Sequence, residues 1–200
     1  AEIPSLEGQV VGLVAPHAGL MYSGPVAAYA YKLVMGLDAD TVVLVGPSHY
    51  VAFRGVAVYD RGAFDTPLGQ IPIAEACAAA LTLASRSIRP HPAAHVREHS
   101  LEMQLPFVRR VLPNASIVPL VRGDQSPETV DELSAALSTT LAGRRALLVA
   151  SSDLSHFLAR PAASRLDGQV VEHVSRFDPD GLSAALESFP NHACGGGPVV

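Results

Sequence analysis

Charge is scarce in this chain, and so is cysteine. Charged residues make up 16% of its 200 residues, with 14 Lys and Arg against 19 Asp and Glu and a net charge of −5. No Lys/Arg cluster rises above that background, which argues against a sequence-independent nucleic-acid surface. Two cysteines, Cys77 and Cys194, exclude a disulfide framework and make a reducing cytoplasm the default location. No apolar run approaches the roughly 18 residues that a membrane-spanning helix needs. Nor does the start carry the basic segment followed by an apolar one that marks a signal peptide. Neither nucleic acid nor membrane is therefore expected as a partner. Repeats, low-complexity tracts and linkers are also missing. With 48% hydrophobic residues, residues 1–200 are expected to form one domain large enough to bury a substantial core.

What is present is a recurring pattern. Val42–Tyr50, VVLVGPSHY, begins as an apolar run without polar alternation, which suits a strand buried on both faces of a parallel sheet. It then breaks at Gly46 and Pro47 and presents Ser48 and His49. VVGLVAPHAG ends the same way at His17, and ALLVASSDLSH at Asp153 and His156. Open α/β sheets bind ligands outside the carboxyl ends of their strands, so three strands of this kind mark a site.

In chain order, residues 1–8 read as a leading loop and Gln9–Ala15 as the first buried strand. A helix is expected from about Pro25, short strands at Gly55–Tyr59 and Ala115–Val121, and a last clear strand at Arg145–Ser151. Ala74–Ala84 reads as an Ala-rich helix around Cys77. SLEMQLPFVRRVL reads as one amphipathic helix capped by Ser100 and kinked at Pro106. Ser126-Pro127-Glu128 opens another helix, and two more are expected at 162–176 and 179–188. The alternation predicts an α/β fold with a mainly parallel central sheet flanked by helices. The closing CGGGPVV reads as a tight turn feeding a further element, so the chain is expected to lack its C-terminal part.

His17, His49 and Cys194 are the first candidate group. Two neutral imidazoles and a thiolate suit a borderline ion such as Fe(II) or Zn(II), although each residue is also explicable as structural. Asp153 and His156, three apart, can face one cleft as ligand, general base or proton shuttle; the alternative is an Asp helix cap and a backbone-satisfied His. Glu98, His99, Glu102 and Gln104 form a third cluster, in which a carboxylate beside a histidine fixes its tautomer; an exposed charged turn explains them equally well. His91, His95, His173 and His192 read as surface histidines, and Cys77 as core. Tyr22 and Ser23 are read as ligand hydrogen-bonders or helix caps.

APHAG with YSGP, GPSH, EHSLEMQLP, SSDLSH and CGGGP occur together and in order between about Val10 and Pro198. On these motifs the chain resembles the Memo-like family, whose prokaryotic members are called AmmeMemoRadiSam system protein B and whose eukaryotic members mediate cell motility. The resemblance implies a fold like the class III extradiol ring-cleaving dioxygenases, which use two histidines and a carboxylate on iron. It implies His17, His49 and Cys194 as the metal triad, the cysteine replacing the carboxylate. Asp153 and His156 would complete the pocket, His156 matching the dioxygenase base, and His99 would line the cleft. Tyr50 stands where many members have a second histidine.

Three functions follow as expectations. The first is a non-haem metal-dependent oxidoreductase, dioxygenase-like, with Fe(II) foremost and Zn(II) or Cu as alternatives; thiolate for carboxylate changes the softness and oxidation risk of such a site. A vestigial-site protein binding a peptide or small ligand is the second, including the phosphotyrosine peptides implied by motility-mediating members, which the low basic content disfavours. The third is a metal-free hydrolase with Cys194 as nucleophile and the CGGG run as oxyanion hole. The resemblance also implies radical-SAM and AMMECR1-like partner proteins.

Overall fold

The computed structural model describes residues 6–189 and 192–200, so residues 1–5 of the expected leading loop lie outside the described residues. Eight strands are present among them: β1 (Gly12–Ala15), β2 (Thr41–Pro47), β3 (Val56–Val58), β4 (Ala63–Phe64), β5 (Ile71–Pro72), β6 (Ile88–Pro90), β7 (Ser116–Arg122) and β8 (Ala146–Ser151). Six form one sheet in the order β1-β8-β2-β7-β3-β6, and β4 pairs with β5 separately. Within the large sheet only the β3–β7 pairing is antiparallel. The mainly parallel α/β sheet flanked by helices is thus present, in keeping with the extradiol-dioxygenase-like architecture that the motifs imply.

β2 sits in the middle of the sheet and is buried along its whole length, as its unbroken apolar run predicts. Side chains on a strand alternate between faces. Val42 and Leu44 pack with Tyr31, Leu101, Leu105 and Val108 on one side. Val43 and Val45 pack with Cys77, Leu81, Leu133 and Leu137 on the other. The first side is covered by α1 (Leu20–Lys32), α3 (His99–Glu102) and α4 (Leu105–Val111), the second by α2 (Glu75–Ala84) and α5 (Pro127–Leu141). Cys77 is a core residue. Past β8 come α6 (Arg160–Arg176), α7 (Pro179–Ser188) and the short α8 (Gly196–Val199). No helix among the described residues is long and apolar enough to cross a membrane.

Several local expectations are corrected. β1 is an edge strand four residues long, and its burial alternates because Leu13 and Ala15 face the core while Gly12 and Val14 lie on the open face. α1 begins at Leu20 rather than Pro25; Tyr22 and Ser23 amides already bond the Gly19 carbonyl, and Pro25 removes only one later bond. The single amphipathic helix is two short ones, α3 and α4, with Pro106 in the first turn of α4 instead of at a kink. α3 is capped by Glu98 rather than Ser100, and the Ser100 hydroxyl donates to the Pro47 carbonyl. That contact is possible because Gly46 has no Cβ, which would come within 2.7 Å of Ser100 Oγ. Ser126 does cap α5, with Pro127 behind it.

Candidate metal centre

Strand order decides which side chains meet. β1, β8 and β2 lie side by side. The loops leaving their carboxyl ends carry His17, then Asp153 with His156, then His49, to one end of the sheet. Cys194 reaches the same place through its backbone amide, which donates to the Asp153 carbonyl at 3.2 Å. The residue after it must be glycine: a Cβ on Gly195 would stand 2.3 Å from the Ser151 carbonyl oxygen, so any side chain would push Cys194 away from β8. The ligand atoms of His17, His49 and Cys194 all fall within 4.8 Å of one another.

Each histidine is oriented from behind. The Ser151 hydroxyl donates to the Ser100 carbonyl at 2.6 Å, so its oxygen is free only to accept. It accepts from Gln104 Nε2 at 2.8 Å and from His17 Nδ1 at 3.0 Å. Gln104 is itself fixed, since its Nε2 also donates to the Pro16 carbonyl and its Oε1 accepts from the Tyr31 hydroxyl. The network therefore has His17 Nδ1 donate to Ser151 and leaves Nε2 facing Cys194 Sγ, 3.0 Å away. His49 has the same arrangement with a stronger partner. Its Nδ1 donates to Glu98 Oε1 at 2.7 Å and its amide to Glu98 Oε2 at 2.6 Å, leaving Nε2 toward Cys194. A histidine held by a carboxylate through one nitrogen and free at the other is the usual preparation of a metal ligand.

The charges follow from these contacts. Burial alone pushes the Cys194 thiol up, but hydrogen bonds from His17 and His49 outweigh it and bring the group down to about 6. His49 is raised to about 9, by Cys194 first and Glu98 second. Glu98 is opposed by its own burial, yet the His49 contacts hold it at about 2. Without an ion the pair is a thiolate facing an imidazolium at neutral pH.

His99 lies in the same cluster, its ring stacked on His49 with centroids 4.4 Å apart. Its buried Nδ1 has no hydrogen-bond partner and sits 3.7 Å from Glu98 Oε1. Asp153 caps no helix of its own. Its Oδ1 accepts the amides of His17 at 2.9 Å and Ala18 at 3.1 Å, pinning the β1 turn, and the next helix begins only at Arg160. Its Oδ2 is 3.8 Å from both His17 Nε2 and His156 Nε2. His156 Nδ1 donates to the Leu154 carbonyl at 2.8 Å, so its Nε2 is also free.

Other candidates fall away. Glu102 is exposed and outside the centre, whereas Tyr50, exposed beneath the Arg97 guanidinium 5.0 Å over its ring, packs edge-on against His99 with centroids 5.9 Å apart. Tyr22 is exposed, whereas Ser23 Oγ donates to the Ala18 carbonyl and so helps shape the turn after His17. His95 and His192 are buried, contrary to the surface reading: His95 Nε2 meets the Ala57 carbonyl at 3.2 Å, and His192 Nε2 meets Gln169 Oε1 at 3.0 Å. Three of the four CGGG amides are occupied as well, that of Cys194 by the Asp153 carbonyl. Gly196 N donates to the Ala193 carbonyl and Gly197 N to Gln125 Oε1, which removes two donors from the expected oxyanion hole. Ser151 and the Glu98–His49 pairing are the features that sequence reasoning missed. The only signal for the first was a polar residue ending an apolar strand.

The family described as Memo-like protein matches residues 3–200. A MEMO1 family protein of Pyrobaculum aerophilum is 36% identical over 201 aligned residues, covering 99% of this chain and 72% of its own length. One from Thermotoga maritima is 37% identical, covering 95% of this chain and 69% of its own. Another, from Methanothermobacter thermautotrophicus, is 34% identical, covering 96% and 70%.

Proposed function

The chain belongs to the Memo-like protein family, and from that membership and the geometry of its centre we propose that it is a non-haem iron redox enzyme, dioxygenase-like, with His17, His49 and Cys194 as ligands. One observation carries this reading: two imidazoles, each with Nδ1 tied down behind it, aim their free nitrogens at one thiolate. The donor set fits a borderline divalent ion. Three protein donors also leave coordination positions open to a substrate, as catalytic rather than structural sites do. Fe(II) is the ion we favour, with Zn(II) and Cu as alternatives. When bound, it supplies a Lewis acid and a one-electron redox centre.

The remaining groups handle protons and position. His156 is half-exposed at the mouth, with Nε2 free and Asp153 Oδ2 beside it. It is placed to take a proton from a bound substrate as general base, with Asp153 Oδ2 3.8 Å from its Nε2. His99 lines the opposite wall against His49. Burial and the neighbouring His49 charge hold its ring below the ordinary histidine range, which keeps it neutral.

The thiolate–imidazolium pair also supports a second reading, a cysteine nucleophile acting without metal. The occupied CGGG amides count against it. Anaerobic metal analysis of protein purified without added metal, beside His49→Ala and Cys194→Ser, separates the two. Near-stoichiometric iron lost in both variants supports the metalloenzyme. A wild type that takes up neither Fe(II) nor Zn(II), yet has Cys194 trapped by an acyl electrophile, refutes it in favour of the nucleophile.

A further inference from the structure

At the far edge of the sheet, where β6 pairs only with β3, the described residues line a cavity of about 920 Å³ that shares no residue with the metal centre. We propose that this cavity binds a nucleoside phosphate.

Local structure brings its walls together. Gly55 has a φ of 80°, and a Cβ there would overlap the Ser87 carbonyl oxygen, so glycine lets the 53–55 loop lie against the start of β6. Val56 N donates to that same carbonyl at 2.9 Å. Gly55 N donates to Asp124 Oδ2 at 2.6 Å, which ties the loop to the turn that opens α5.

Charge is sorted between these walls. The strand side contributes Arg54, Arg86 and Arg89, and the helix side Asp124, Glu128 and Glu132. The two sets do not neutralise each other. Among the described residues the arginines in ion pairs are Arg61, Arg145 and Arg176, so the three of the cavity are uncommitted. Asp124 is taken up by the amides of Gly55 and Ser126 and by Ser126 Oγ, and Glu132 accepts from Ser85 Oγ at 3.0 Å.

This sorting describes a ligand with two unlike ends. Guanidinium forks bind phosphate oxygens bidentately, and three of them suit a group with several charged oxygens. Glu128 and Glu132, one turn apart on one face of α5, repel a phosphate but accept hydroxyl or amine protons. Phe53 and His91, both half-buried with ring centroids 5.3 Å apart, give the cavity a planar apolar wall of the kind on which nucleobases stack. Inorganic phosphate would leave that wall and the acids unused, whereas a nucleoside phosphate engages all three features.

The test is calorimetric titration of the metal-free full chain with ADP, GDP, CDP and UDP, then with pyrophosphate and adenosine. The variants are Arg86→Ala, Arg89→Ala and His49→Ala, with thermal melts to confirm folding. One equivalent of at least one nucleotide, bound about tenfold more weakly by each arginine variant and unchanged in His49→Ala, is the expected result. Pyrophosphate and adenosine are each expected to bind at least about tenfold more weakly than that nucleotide. No saturable uptake of any of the four by folded wild type at about 1 mM overturns the proposal. Affinity within about threefold of wild type in both arginine variants also overturns it, by placing the nucleotide elsewhere. Pyrophosphate bound as tightly as the nucleotide overturns the nucleoside assignment and leaves a plain anion site.

Discussion

Glu98→Gln is the substitution that probes the centre most directly. Glu98 is nearly fully buried and accepts three N–H groups: His49 Nδ1 at 2.7 Å, His49 N at 2.6 Å and Ser100 N at 2.9 Å. Glutamine keeps the shape but replaces one acceptor oxygen with a donor, so at least one of those N–H groups faces another donor. A buried unsatisfied group costs about 1–3 kcal/mol. The charge disappears as well. Glu98 lies at about 2 rather than its usual 4.5, a difference that corresponds to at most about 3 kcal/mol. The rise in His49 describes the same interaction from its other end and is not added. The expected outcome is a protein destabilised by about 2 kcal/mol. Its metal affinity falls about 10–100-fold, the usual effect of removing a partner behind a ligating histidine. Competition against a chelator of known affinity, with a thermal melt on the same sample, reads both. Binding within about threefold of wild type would refute the claim that Glu98 orients His49 as a ligand.

Four further outcomes follow. In metal-free protein at pH 7.5, Cys194 gives the ultraviolet absorption of a thiolate, and His49→Ala raises its titration midpoint from about 6 because one of the two lowering side-chain hydrogen bonds is gone; an unchanged midpoint would contradict the pairing. Between about 6 and about 9, ion binding displaces one proton from the His49–Cys194 pair, because the thiol is already ionised while His49 is not yet neutral; calorimetry in buffers of different ionisation enthalpy counts it, and release that does not decline above about 9 would exclude His49 as its source. Acid has a separate effect: Glu98, lowered in the fold, contributes stability that is complete above its ordinary 4.5 and lost as pH falls toward about 2, so the acid limb of a stability profile should flatten in Glu98→Gln. Gly195→Ala should lower both stability, by about 1–3 kcal/mol, and metal uptake, since its methyl meets β8 backbone; normal uptake would show that Cys194 does not need this close approach.

Much of this architecture is legible in residues 42–50. An unbroken apolar run bounded by Gly46 and Pro47 suits a strand covered on both faces, and β2 is covered that way. The convergence of His17, His49 and Asp153 is less legible, because it depends on β8 inserting between β1 and β2, a crossover that no local pattern encodes. Ser100 has the right chemistry for a cap. Glu98 takes that position because His49, 49 residues earlier, also needs its carboxylate. His95 and His192 are misread for the related reason that a histidine becomes buried when a distant acceptor, the Ala57 carbonyl or Gln169, happens to meet it. The edge position of β1 likewise follows from sheet order rather than from its own residues.

The bond between His17 and Cys194 joins residues 177 positions apart. During synthesis, the first histidine is available long before its sulfur partner exists, and the glycine that seats the cysteine on β8 comes later still. A nascent chain therefore carries His17 and His49 as a loose pair with little hold on a metal ion. If the centre holds an ion as proposed, its capture needs the segment around Cys194 docked on β8, so loading would report that β1, β8 and β2 are in place. Contacts of such long range also form slowly.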